Sequence, residues 1–301
     1  MRPSNRVSII VSDLETHPGL PRLLQSVARQ SSGLTDTEII VAGNGAHSHA
    51  DLAAWKAITG IDAIRIKDCG SSATPSTARN LGAATATGDR LLFLRPGHRL
   101  DPKYLTTAAS VFEDHPETGI MYVDYIRLAP KDGGSRPGMV QLPPFRPALL
   151  QARGFLGPGV LITRRAWQST EGFREGTAYR EWDLWVQAAL AGNEFHHVSY
   201  PLASCEHRKV SFRERAEDGR CKAMLVIRNQ GFFHMHTVRW ALGYLRGEKW
   251  AESFGFMTIP GPVDVSRMMH DHAMRVMGTD TLAEEAIRQF ESSPDAVCAD
   301  Y

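Results

Sequence analysis

Short apolar runs alternate with amphipathic stretches over the first two thirds of the chain. Residues 7–11, 38–42, 63–66, 90–94 and 120–123 are dominated by consecutive aliphatic side chains, the pattern of strands buried on both faces. Between them the apolar positions fall at helical spacing. Leu20, Leu23, Leu24 and Val27 form one stripe after His17-Pro18, and a second helix covers 50–57. Residues 74–87 are Ala-rich and helical, with Thr74 or Ser76 as N-cap and Gly88 as stop, and 102–112 forms a further helix. Segment 160–162 resumes a strand, 180–191 reads as an amphipathic helix, and 195–198 as another strand. This alternation predicts an α/β fold with an open, mostly parallel sheet and helices on both faces. Ligands are then expected along the edge formed by the strand C-termini.

Two stretches break the rhythm. Residues 127–158 hold six prolines among Lys, Arg and Gly, and read as a long functional loop excursion. From 211 onward the pattern is helical, over 213–229, 232–246, 263–277 and 282–290, with Pro260-Gly261-Pro262 as a break. The expected organisation is therefore an α/β domain over 1–210 and a C-terminal helical extension over 211–301.

Composition adds exclusions. The chain has 301 residues, enough for a sizeable core, with 43% hydrophobic and 22% charged residues, as in ordinary globular proteins. A net charge of +1 gives no general pull toward nucleic acid. Four scattered cysteines form no CxxC pair, which fits reduced cytoplasmic thiols. No apolar run is long enough to span a membrane, and no signal-peptide core opens the chain. His234-x-His236 and His270-Asp271-His272 lack the helical i+4 spacing of a ligand pair, so neither is read as a metal site. The apolar residues of 232–245, flanked by Arg239, Arg246 and Lys249, fit a core or an interface between copies, with docking on a membrane surface as the alternative.

The richest segment is Leu91-Leu92-Phe93-Leu94-Arg95-Pro96-Gly97-His98-Arg99-Leu100-Asp101-Pro102, a buried strand broken by Pro-Gly. Its frame resembles the strand end L-L-F-L-D-x-D-D-x-L-D-P of glycosyltransferase family two, of the GT-A fold. Val7–Val11, Glu38–Gly45, Gln30, Ala78-Arg79-Asn80-Leu81-Gly82, Glu171-Gly172-Phe173 and Glu181-Trp182-Asp183-Leu184-Trp185 match the family in the same order. The resemblance covers 6–213 and implies a nucleotide-diphosphate-sugar donor, a glycan or lipid-linked hydroxyl acceptor, and transfer with inversion. It also implies action in the cytoplasm or at the inner face of the membrane, in cell-surface polysaccharide synthesis; homo-oligomers through the C-terminal helices are the expectation from the apolar stripe of 232–245.

Such chemistry needs a base for the acceptor hydroxyl and positive charge for the departing diphosphate. Glu181 falls on the family's base position, while Asp183, two residues on, points elsewhere and is assigned to the helix start or to support of the base. The family's Mn or Mg ligands are missing: Arg95, Gly97 and His98 stand at the carboxylate positions. No cofactor is therefore predicted. Arg95 with a protonated His98 can replace the metal; alternatively the site is spent and the chain is a glycan- or partner-binding scaffold, or Arg95 is a solvated loop charge. Base recognition is also altered, with Ser12-Asp13-Leu14-Glu15 and Gly43-Asn44-Gly45-Ala46 replacing the family sequences. Asp13, Asn44 and the retained Arg79 are the donor-site candidates there, and His207, followed by Arg208 and Lys209, is placed by the resemblance near the diphosphate. A nucleotidyltransferase would need a G-x-G-T-R-type loop that 12–19 does not supply.

Overall fold

The computed structural model describes residues 6–14, 17–31, 34, 36–45, 47, 49–129, 137–206, 211–277, 284, 285 and 288. Within them the chain separates into two compact units. Unit one comprises 1–145, 155–175 and 187–209; unit two comprises 146–154, 176–186 and 210–301. The helical tail from 211 thus shares its unit with two segments drawn from inside the α/β region. The predicted helix 282–290 lies outside the described residues apart from Glu284, Glu285 and Arg288.

Unit one is built on β1 (Val7–Ser12), α1 (Leu20–Ala28), β2 (Thr37–Gly43), α2 (His49–Thr59), β3 (Ile64–Asp68), α3 (Pro75–Thr85), β4 (Arg90–Leu94), β5 (His98–Leu100), α4 (Tyr104–Asp114) and β6 (Thr118–Leu128). There follow β7 (Gly138–Val140), α5 (Pro147–Ala152, in unit two), β8 (Leu161–Thr163), α6 (Arg164–Gln168), α7 (Arg180–Leu190, which starts in unit two) and β9 (Glu194–Glu206). The sheet order is β3-β2-β1-β4-β8-β6-β9-β5, with β7 on β6. The expected mostly parallel sheet is corrected here to a mixed one. The β3-β2-β1-β4 half is parallel, and so is β6-β9, but β8 runs antiparallel to β4 and β6, and β5 and β7 are antiparallel additions. Strands of three residues such as β5 and β8 are too short to show a period in the sequence.

Helices do cover both faces. Leu20, Leu23, Leu24 and Val27 of α1 pack with Ile9, Ile39 and Leu92, joined by Trp55 of α2 and Tyr104 of α4. On the other face α3 lies directly on β1, because Gly82 leaves only enough room for Ile10: a Cβ there would sit 2.5 Å from Ile10 Cγ2. Thr74 caps α3 by accepting the Thr77 N–H, as its sequence position predicts. Phe93 packs at a tilt against Trp167 and edge-to-face against Phe173 beyond it. Glu38, buried in β2, ties three elements together. It accepts from Ser8 Oγ and Thr87 N at 2.6 Å and from Thr87 Oγ1 at 2.8 Å, and pairs with Arg65.

Unit two packs α5, the start of α7, α8 (Phe212–Arg228), α9 (Met235–Arg246) and α10 (Pro262–Met277). Ser211 and Glu214 form a capping box at α8. Phe233, Val238 and Trp240 are buried in this unit's own core, so most of the apolar stripe of 232–245 is internal, with Met235 and Leu245 left exposed. His234 serves as the N-cap of α9, its Nδ1 accepting the His236 N–H at 3.2 Å.

Candidate active site

The parallel strands of unit one end together, and the loops that follow them interlock. Asp13 N–H donates to Ala42 O, and a Cβ on Gly43 would meet Asp13 O at 2.9 Å. A Cβ on Gly19 would lie 2.8 Å from Gly97 N, so the β1–α1 loop rests on the β4–β5 turn, where Gly97 takes φ +97°. The glycines let the backbones approach, and the candidate side chains line this edge.

Asp13 is buried. Its Oδ1 accepts the His17 N–H at 3.0 Å, and Oδ2 lies 3.5 Å from His47 Nε2. His47 packs edge-on against Trp55. Asp13 Oδ2 and, one strand over, Asn44 Oδ1 are buried acceptors with no hydrogen-bond donor among the described residues. Leaving acceptors unpaired is costly, and a ligand with N–H or O–H donors would satisfy them.

At the β4 end, Arg95 is exposed but not loose: its Nε donates to Nε2 of the buried His98 at 2.9 Å. A ring nitrogen that accepts carries no proton. The expected protonated His98 is therefore corrected to a neutral acceptor that orients Arg95. In β6, β9 and β5, Arg127, Cys205 and His98 are register partners, so their side chains share one face of the sheet. Burial pushes the Cys205 thiol up, while the nearby charges of Arg95 and Arg127 both pull it the other way. Arg127 escaped the sequence reading because only the register of β6 on β9 brings it here; the alternation from Tyr125 to Arg127 along β6 was the one available signal.

The remaining candidates sit otherwise. Arg79 is a buried residue of α3 with its guanidinium over the Phe173 ring, 4.9 Å from the centroid. Neighbouring Asn80 brackets Phe173, donating to its carbonyl and accepting its N–H at 2.9 Å each. Glu181 and Asp183 belong to unit two, on the first turn of α7. Asp183 is buried and accepts from Asn229 Nδ2 at 2.8 Å, whereas Glu181 is half-exposed. That turn is fixed by Trp182 Nε1 on Leu150 O at 2.7 Å and by the Tyr179 hydroxyl, which donates to Asp218. His207, with Arg208 and Lys209, lies outside the described residues.

The strand end offers a guanidinium, a glycine and an imidazole already used as an acceptor. These do not fit a hard divalent cation, which takes oxygen ligands. Among the described residues no three His, Cys, Asp or Glu side chains gather as a ligand set.

Comparison with known proteins agrees with this architecture. Over 195 residues the chain is 24% identical to the O-antigen biosynthesis protein RfbC of Myxococcus xanthus, a match spanning 64% of this chain and 13% of that protein. In structure it is similar to S. aureus TarS 1–349 in complex with UDP-GlcNAc (TM-score 0.59, 14% identity, 89% of this chain and 81% of that one). It is also similar to the mannosyltransferase PcManGT from Pyrobaculum calidifontis in complex with GDP-Man and Mn2+ (TM-score 0.53, 14% identity, 96% and 81%). At these identities the likeness is one of fold, the α/β GT-A type with helices following it. The model of glycosyl transferase family 2 matches residues 8–170, more than half of the sequence, and the chain belongs to that family.

Proposed function

We propose that the chain is an inverting glycosyltransferase in which strand-end guanidinium groups do the work usually given to a metal. The observation that carries this reading is Arg95, held by His98 at the positions where the family pattern places carboxylates. Arg127, in the same register row as His98, supplies a second positive charge. The orphan acceptors of Asp13 and Asn44 suit the donors of a nucleobase or ribose.

The reaction is a single displacement. Glu181, on the family's base position, takes the proton from the acceptor hydroxyl. The new oxygen–carbon bond forms at the anomeric carbon as its bond to the diphosphate breaks on the opposite face. The diphosphate leaves with the bonding pair, and Arg95 and Arg127 neutralise that charge as it grows. The acceptor in this proposal is a glycan or lipid-linked hydroxyl, supported by the biosynthetic role in the name of the Myxococcus relative. The site of action is the cytoplasm or the inner membrane face, and exposed Phe212, Val263 and Val276 of unit two support peripheral contact there or pairing of copies.

Calorimetry against a panel of nucleotide sugars, with and without Mn2+, is the first test, followed by turnover on the donor that binds. Glu181→Gln and Arg95→Ala are each expected to lower turnover by about 100-fold, with chelator without effect. Full activity in either variant, or abolition by chelator, refutes the mechanism. Failure of every nucleotide to bind at millimolar concentration would leave a glycan- or partner-binding scaffold.

A further inference from the structure

Unit one carries a second constellation beside the strand-end turn, where Glu206 N–H donates to Gly97 O at 3.0 Å. On α1, Arg22, Gln25, Ser26 and Arg29 recur at i, i+3, i+4 and i+7, so they share the face turned away from the Leu20–Leu24 core stripe. Across β6, β9 and β5, Ile126, Ser204 and Arg99 are register partners. Alternation puts this row on the opposite face of the sheet from Arg127, Cys205 and His98. The helix stripe and the strand row line one cavity of about 480 Å³, a size that takes a small ligand.

The cavity has a definite chemistry. Three guanidinium groups, Arg22, Arg29 and Arg99, meet there. Arg22 and Arg99 share the Glu206 carboxylate at 3.8 and 3.2 Å. Arg99 uses only Nη2 for that contact; its Nε is buried with no hydrogen-bond partner among the described residues. The cavity's own carboxylate, Asp101, spends Oδ1 on the Lys103 N–H. An excess of guanidinium and an orphaned buried donor call for an anion with several acceptor oxygens. Exposed Ile126 and half-buried Pro201 give the same cavity an apolar wall.

We infer that this cavity binds a phosphate ester of a small polyol or saccharide. The phosphate oxygens face the arginine forks, which suit them in geometry and charge. The carbon body lies along Ile126 and Pro201. The inference does not rest on the transferase reading, since none of these residues is given a part in donor binding or catalysis there.

The full chain titrated with glucose 1-phosphate and with glycerophosphoglycerol tests it, with glucose and glucuronate as controls. The monoester and the diester share the chemistry, and the tighter of the two tells a free phosphorylated sugar from a phosphodiester within a polymer. Saturable ester binding that weakens with salt is expected, falling about tenfold or more in the Arg29→Gln/Arg99→Gln double variant. Nucleoside diphosphate binding is expected to be unchanged in that variant. Equal affinity in the variant, glucose or glucuronate binding as tightly as the esters, or no ester binding at millimolar concentration overturns the inference. Ester binding without nucleotide binding would instead overturn the transferase reading alone.

Discussion

Replacing Glu38 by Gln should cost the protein much of its stability at neutral pH and almost none in strong acid. The Glu38 side chain is 1% exposed, and burial by itself raises its pKa. Hydrogen bonds from Ser8 and from the backbone and hydroxyl of Thr87, with the charge of Arg65, outweigh that and bring it from an ordinary 4.5 to about 2. A fall of that size is worth about 3 kcal/mol of folding free energy. The folded pKa lies below the unfolded one, so this contribution is complete above pH 4.5 and is lost as pH falls toward 2. Gln keeps the shape, loses the charge and does not titrate. Urea unfolding of both proteins across pH 7 to 2.5 measures the difference directly, and subtraction removes the other carboxylates. The gap should be about 3 kcal/mol at pH 7 and close steadily below pH 4.5. A gap that stays constant with pH, or one under about 1 kcal/mol at neutrality, refutes the reasoning.

Other perturbations separate aiming, packing and chemistry. His98→Phe removes the acceptor of Arg95 Nε and should lower turnover about tenfold, with His98→Gln, whose Oε1 accepts, restoring most of it; no rescue would refute the aiming role. Asp183→Ala leaves Asn229 Nδ2 without this buried acceptor and should destabilise by about 1–3 kcal/mol in chemical denaturation, whereas Glu181→Gln should leave the melting curve in place. Gly82→Ala would raise helix propensity, yet its Cβ meets Ile10, so a net loss of about 1 kcal/mol is expected and a gain in melting temperature would contradict the close packing of α3 on β1. Lys222→Met strands buried Asp218, which Lys222 Nζ contacts at 2.6 Å, and should cost about 3–5 kcal/mol by thermal or urea unfolding.

What the sequence revealed follows the length of its signals. β1, β2 and β4 are strands of five to seven residues that are nearly all buried, and α1 has an unbroken stripe, so their places were legible. Thr74-Pro75 announced the start of α3 by its own chemistry. β5 and β8 have three residues each and gain their identity only from partners. β9 carries Pro201 at an irregularity in its pairing with β6, which hid its length. The division into units was equally hidden, because 146–154 and 176–186 join the C-terminal helices through contacts far apart in sequence, such as Asp183 with Asn229. At the site, motif order located Asp13, Asn44, Arg95 and His98, but the direction of the Arg95–His98 hydrogen bond and the approach of Arg127 needed coordinates.

That hydrogen bond bears on whether the strand end is abandoned or rebuilt. Losing a metal requires only that carboxylates disappear, and any small or polar residue would serve. Here one replacement, Arg95, presents a cation to solvent, and a second, His98, is buried beneath it with its lone pair on the guanidinium. Holding an arginine in one orientation costs side-chain entropy that a vacant site would have no use for. The cost is repaid where a fixed fork meets phosphate oxygens, because a pre-aimed donor needs no reorganisation as charge develops. Arg127 strengthens the case from an independent direction: it reaches the same face through strand pairing and lies outside the strand-end motif. In the reaction proposed above, two cations carried by separate elements would then meet the charge of the departing diphosphate without a metal.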